Sequence, residues 1–337
     1  MSQKLYLIQN DTHLKNFSFL MEEGDYYINL GRITGQADFC NINLKGEEIT
    51  IDISNADFYS LGSISRILYV FKFTKSVKRA LNGILFSSVV IGNDGSLQKA
   101  IINSLSRRVP VYMWLDGLVS SLDNKANLIK LSVMRCAEIF NIDHYFPSVI
   151  GTSSSINEIF MMHDSVLNEY AKIGKYVSIN KYKVKCFPRH IDLKQINSSP
   201  SKRVLYLTSA WEFHGFHKEH KFQSDQINDL VNHAENLKDL GYKLAIRKHP
   251  RDFSDYNSNE TISTYLSKID SFENDINNSS HVISARSTGL LEASMVDRKV
   301  IVFNKWFNET HKNSYIDSLP YINEINELDK FLALNDD

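Results

Sequence analysis

The sequence predicts an α/β protein built of two parallel-sheet halves, and three observations carry that expectation. Short runs of apolar and β-branched residues recur along the chain, and each ends in a turn rich in hydroxyl, Asp-Gly or His-Pro residues. Each turn leads into a segment of helical periodicity, the strand–turn–helix–strand grammar of parallel sheets. The grammar occurs on both sides of Ser198-Ser199-Pro200-Ser201, a stretch with linker composition. The chain has 337 residues, more than one ordinary core holds and enough for two. The expected domains are 1–195 and 196–337.

In chain order, Leu5 to Ile8 reads as the first strand. Asn10-Asp11-Thr12 reads as a turn and helix cap, with a helix continuing to Leu20–Glu23. Tyr26 to Leu30 and Ile49 to Ile53 read as further strands. Residues 56–81 have helical spacing and carry Arg66, Lys72, Lys75, Lys78 and Arg79. A β-branched strand then ends at Asn93-Asp94-Gly95, Leu97 to Leu105 reads as helix, and another strand ends at Asp116-Gly117. Helical periodicity covers 126–140 and 156–175. After the linker, Arg203 to Leu207 starts a fresh strand, and a helix over 224–240 leads to a strand from Lys243 to Lys248. Val282 to Ala285 and Val300 to Phe303 complete the strands, with an apolar helix over Leu290 to Val296 between them.

Composition narrows the function. Lys plus Arg number 38 and Asp plus Glu 39, so 38 − 39 = −1, a balance that argues against a dedicated nucleic-acid binder. Hydrophobic residues make up 43%, enough for full cores. The three cysteines, Cys40, Cys136 and Cys186, lack CxxC spacing and offer neither a disulfide framework nor a zinc site. The opening MSQKLYLIQN has no basic n-region followed by a long apolar stretch, and no apolar run approaches ~18 residues. A cytoplasmic chain is expected. The basic stretch 66–79 reads as a solvated helix face, or as a contact with anionic membrane or a lipid-linked acceptor.

The chemistry concentrates at strand ends, where open parallel sheets bind ligands. His249 ends a strand, and Pro250 fixes the turn so that the imidazole is aimed; Arg247, Lys248 and Arg251 add charge. Ser287, Thr288 and Gly289 open a helix, whose free N–H groups and positive end suit phosphate. The plainer alternatives are a strand terminator and a helix N-cap. Arg286 is a second phosphate candidate, and Glu292 is placed to accept from a ribose hydroxyl or to complement the helix dipole. Asp116 is a candidate general base or a tight-turn residue. Asp94 is its competitor, with a helix cap as its plainer role. His214, His217 and His220 recur at spacing three, yet lie among mixed charges without an HExxH companion, so no metal is expected. The sequence also lacks GxxxxGK[ST], a GxGxxG after a strand, and GxSxG.

Taken together, LDG at 115–117, KHP at 248–250 and STGLLEA at 287–293 resemble the motifs of bacterial GT-B sialyltransferases and polysialyltransferases. The resemblance implies two Rossmann-like domains facing a cleft: an acceptor-binding domain over 1–195 and a nucleotide-sugar-binding domain over 196–337. It implies inverting, metal-independent transfer of a nonulosonic acid from a CMP-sugar to a glycan hydroxyl in surface polysaccharide or lipooligosaccharide synthesis. No cofactor beyond the donor is implied. By matching position, Asp116 becomes the base and His249 the donor to the CMP phosphate, with Ser287 and Thr288 binding the same phosphate. The chain departs from the pattern at Leu115, where the family carries a second acid. Kdo transferases and CDP-polyol phosphotransferases share similar His-Pro and Ser/Thr features, and a non-catalytic glycan-binding component is the alternative of another class.

Overall fold

The computed structural model describes residues 3–36, 44–115, 117–146, 148–190, 193, 200–303 and 311–333. Residues fall into two compact units, Met1–Arg189 and His190–Asp337. That division lies between Arg189 and His190, a few residues before the 195/196 boundary expected from the linker composition.

In the first unit the elements are β1 (Lys4–Ile8), α1 (Asp11–Leu20), β2 (Tyr26–Asn29), α2 (Leu30–Ile33), β3 (Glu47–Glu48), α3 (Ser63–Ala80), β4 (Ser88–Ile91) and α4 (Ser96–Ile102). They continue with β5 (Val111–Trp114), α5 (Lys125–Ile139), β6 (Glu158–Met161), α6 (Asp164–Lys172) and β7 (Tyr182–Val184). The seven strands lie in the order β3-β2-β1-β4-β5-β6-β7, and every pairing is parallel. Leu5 lies opposite both Tyr26 and Val89, so β1 is central. Helices cover such a sheet on both faces, which is why KLYLI and SVVI are apolar without alternation. Phe73 and Val77 of α3 and Leu131 and Met134 of α5 close the core against Val89, Ile91 and Met113. Truncating Phe73, fully buried, to alanine should cost roughly 3–5 kcal/mol.

The second unit holds β8 (Ser201–Leu207), α7 (His217–Asn232), α8 (Ala234–Asp239), β9 (Lys243–Arg247), α9 (Glu260–Ser263), α10 (Phe272–Asn277) and β10 (Ser279–Ser284). It ends with α11 (Gly289–Ser294), β11 (Lys299–Phe303), β12 (Tyr321–Ile322) and α12 (Glu327–Ala333). The strand order is β12-β11-β10-β8-β9, again parallel throughout. Val204, Tyr206, Ile283 and Ile301 form the core with Ile227 and Leu230 of α7 and Leu328 of α12.

Four expectations are corrected. The strand expected over 49–53 is two residues, Glu47–Glu48, because Ile49 and Ile51 turn into the core from an irregular segment instead of a ladder. The helix expected over 156–175 contains strand β6 before α6 begins, with His163 as its N-cap; its Nδ1 accepts from Ser165 N at 3.1 Å. The expected 224–240 helix starts earlier, at His217, and is interrupted at His233. The helix of residues 56–81 starts only at Ser63.

Candidate functional site

Strand β8 organises the second unit's carboxyl edge. His249 and Ser287 follow β9 and β10, and these strands are not neighbours: β8 lies between them. Two strand spacings of about 4.8 Å therefore separate β9 from β10. The segment after β8 joins both. Thr208 Oγ1 accepts from His249 N at 2.8 Å, and Ser284 Oγ donates to Leu207 O at 2.8 Å. Thr208 and Ser209 thus belong to the site, and sequence reasoning missed them. The available signal was a Thr-Ser pair directly after the apolar run VLYL.

The imidazole is preset. Arg251 N–H donates to His249 Nδ1 at 3.0 Å, so the neutral ring carries its proton on Nε2. Asp252, buried, holds this loop by accepting from Tyr256 Oη at 2.9 Å and Ser254 Oγ at 2.6 Å. Burial, with the nearby Asp252 charge, raises the Tyr256 pKa well above its ordinary value, keeping it a donor. Gln223 on α7 ties the same carboxylate to the β8 turn: its Nε2 reaches Asp252 Oδ2 at 3.2 Å and its Oε1 accepts from Ser209 N at 2.6 Å. Ser209 Oγ is buried and has no hydrogen-bond partner among the described residues.

The 286–292 stretch divides its labour differently from the sequence expectation. Ser287 Oγ accepts from Gly289 N at 3.1 Å, and Ser287 and Thr288 are both half-buried. Helix α11 has only six residues, so its macrodipole is slight; what remains near the turn is local N–H and hydroxyl chemistry. Gly289 is required by packing, since a Cβ there would meet Leu207 Cδ1 at 2.5 Å and Phe272 Cζ at 3.0 Å. Arg286 is held by Asp317 in a close ion pair, and burial lowers its pKa from the ordinary arginine value. Glu292 is buried and its Oε1 meets His190 Nε2 at 3.0 Å, instead of facing an open ribose subsite. Lys248 Nζ donates to Ser254 O at 2.5 Å, and Pro250 is exposed. Of the cations around the His-Pro turn, Arg247 is bound to Asp275 at 2.7 Å, and Arg251 lies 5.1 Å over the Phe213 ring.

In the first unit, Asp116 lies outside the described residues. Its competitor Asp94 is neither an exposed base nor a helix cap. Its carboxylate is buried and accepts from the backbone N–H groups of Gly151 (2.8 Å), Thr152 (3.1 Å) and Ser153 (3.0 Å). Burial pushes its pKa up, opposed by the Ser153 and Gly151 N–H groups and by Lys99 and Lys181. Asp94 is a structural anchor. The carboxyl ends of β1 and β4, where the strand order reverses, border a cavity of about 200 Å³ lined by Gln9, Thr34, Tyr59, Arg66, Gln98 and Ser148 among others. Gln9 Oε1 accepts from Gln98 Nε2 at 2.6 Å and from Asn93 Nδ2 at 2.8 Å. The Arg66 guanidinium donates to Tyr59 O at 2.9 Å and stacks 5.4 Å over Phe58. Sequence reasoning did not select Gln9 or Gln98. His217 and His220 begin α7, with His220 Nε2 3.9 Å from Glu212, and the His214 side chain lies outside the description. Among the described residues no group of three His, Cys, Asp or Glu is gathered to hold a metal ion.

No family model matches the chain, and no curated protein does. Solved structures do. A putative UDP-N-acetylglucosamine 2-epimerase from Listeria monocytogenes aligns with a TM-score of 0.58 at 11% identity, over 99% of this chain and 89% of that one. The wall teichoic acid polymerase TagF aligns with a TM-score of 0.53 at 10% identity, over 98% and 78%. The glycotransferase of kitacinnamycin gives 0.55 at 10% identity, over 99% and 90%. The fold is GT-B-like. At these identities the likeness reaches the fold and stops there: two Rossmann-like α/β units, each built on a parallel sheet.

Proposed function

We propose that the chain is an inverting, metal-independent glycosyltransferase that moves a nonulosonic acid from a CMP-sugar to a glycan hydroxyl, lipid-linked or free, in surface polysaccharide synthesis. The observation that carries the reading is the preset imidazole: His249 is locked with its proton on Nε2, on a loop fastened to β8, at a carboxyl edge that also bears Thr208, Ser209 and Ser287. Such donors, fixed before the reaction, stabilise charge that develops on a departing phosphate. In this reading Asp116 takes the proton from the acceptor hydroxyl. The hydroxyl oxygen attacks the anomeric carbon as the bond to the phosphate oxygen breaks, and CMP leaves with the electron pair. Ser287, Thr288 and Ser209 share the phosphate with His249, while Lys248, Pro250, Gly289, Arg286 and Glu292 shape the site without touching the nucleotide. The Gln9–Gln98 cavity suits acceptor hydroxyls, because neutral amides donate and accept without selecting for charge.

A second reading is transfer of a phosphopolyol from a CDP-alcohol, favoured by the fold shared with a teichoic acid polymerase studied with CDPG. Incubation with CMP-sialic acid and with CDP-glycerol separates the two by which donor releases CMP. A thermal-shift series of cytidine and uridine nucleotides comes first, because a ligand that binds the native state raises its melting point. A melting point unmoved by any cytidine nucleotide would remove both readings and leave a glycan-binding component or a uridine-nucleotide enzyme.

A further inference from the structure

Helix α3 has two opposite faces. Tyr69, Val70, Phe73 and Val77 are buried in the first unit's core. At 100° per residue the outward face carries Ile64, Ile67, Leu68 and Phe71 in its first turns, then Lys72, Lys75, Lys78 and Arg79 in its last. Ile64 is 77% exposed, Leu68 58% and Phe71 47%. No acidic residue occurs between Ser63 and Ala80. The Lys75 ammonium lies 4.4 Å from the Phe71 ring centroid, where the apolar half meets the basic half.

A second exposed apolar stripe occurs in the same unit. On α5, Ile129 and Val133 share one outward face, Phe140 follows directly after the helix, and Ile129 and Phe140 are more than half exposed. The turn Asp143–Tyr145 packs against α3, α4 and α5, and the Lys78 charge reaches His144 in that turn. A surface facing only water has no reason to align large apolar side chains on the outward faces of two helices.

We infer that α3 docks the chain on an anionic lipid surface, with its apolar turns in the headgroup–acyl boundary and its four outward cations on lipid phosphates. Charge decides between occupants. A second copy meeting this face about a two-fold axis would set the basic turns against each other or against the partner's apolar turns, and this helix offers no acidic residue to answer them, whereas phosphate headgroups complement them. Spanning is a different matter: no helix among the described residues is long and apolar enough to cross a membrane. An apolar face bordered by basic residues is the arrangement of a helix lying in the interface. The inference stands whether or not the donor reading holds.

Flotation of the whole chain with phosphatidylglycerol vesicles, and separately with phosphatidylcholine vesicles, tests it. The expected result is about tenfold more floated protein on the anionic vesicles, reduced by added salt. Leu68→Ser with Phe71→Ser should abolish flotation with an unchanged melting temperature, since both side chains are already exposed. Lys72→Gln with Lys75→Gln and Lys78→Gln should remove the preference for anionic lipid. A wild-type chain that stays at the bottom of the gradient overturns the inference, as does an apolar variant that floats like wild type. A concentration-dependent dimer, dissociated by Leu68→Ser and indifferent to vesicles, would assign the face to a second copy instead.

Discussion

Two carboxyl edges, one in each unit, start from the same grammar and reach opposite ends. After β4 the chain reads Asn93-Asp94-Gly95, and the acid is drawn inside, where three backbone N–H groups consume it. After β8, β9 and β10 the chain offers buried Thr208 and half-buried Ser209, His249 and Ser287, with His249 fixed by Thr208 and by the Arg251 backbone. Both edges are polar; at the first the acid is consumed by the backbone and neutral amides line the cavity, whereas at the second an imidazole and hydroxyls stand at the strand ends. Burial and the identity of the partner, more than residue type, separate a structural carboxylate from a chemical one.

Removing Asp94 should give the largest effect on stability. Asp94→Ala strands the buried N–H groups of Gly151 and Ser153, leaves that of Thr152 to Val149 O alone, and should cost roughly 3–5 kcal/mol, read as a fall in thermal and urea stability. If Asp94→Ala melted like wild type and lost activity instead, the contrast between the edges would fail. On the other edge, His249→Ala should lower CMP release roughly 10²–10³-fold with little change in melting temperature. A tenfold slower but unstable variant would make His249 a structural residue like Asp94.

A pH series sharpens the same contrast. Burial lowers the Lys181 pKa to about 8 from 10.5, with the Asp94 charge opposing, while its ammonium donates to Ser153 O at 2.8 Å. Between those values the unfolded chain binds more protons than the folded one, so this group's contribution to stability rises as pH climbs from about 8 toward 10.5. Lys181→Met should flatten that rise in melting temperature relative to wild type. The smallest effect is expected at Ser209→Ala, where loss of one hydrogen bond to bound nucleotide should weaken cytidine-nucleotide affinity about threefold to tenfold by calorimetry. Unchanged affinity there would place the phosphate away from the β8 turn.

Much of this architecture was legible because strands buried on both faces announce themselves: KLYLI, SVVI and KVIVF have no polar alternation and sit next to turn residues. Strand β6 escaped because EIFM is four residues long and runs on into a helix with the same apolar spacing. The His-Pro and Ser-Thr positions could be found because they lie at strand ends. Their neighbour relation could not, since strand order is set by pairing across the sheet and β10 chose β8 over β9. Glu292 illustrates a deeper limit. Its partner His190 is 102 residues away, and nothing local marks a carboxylate as already occupied.

Gly289 carries a consequence for sequence drift. The turn after β10 rests so closely on the Leu207 and Phe272 side chains that a Cβ at 289 requires them to shift. Positions 207, 272 and 289 should therefore co-vary among descendants of this chain. An alanine at 289 is best accommodated where 207 or 272 shrinks, and a library randomised at the three positions should recover them as linked sets.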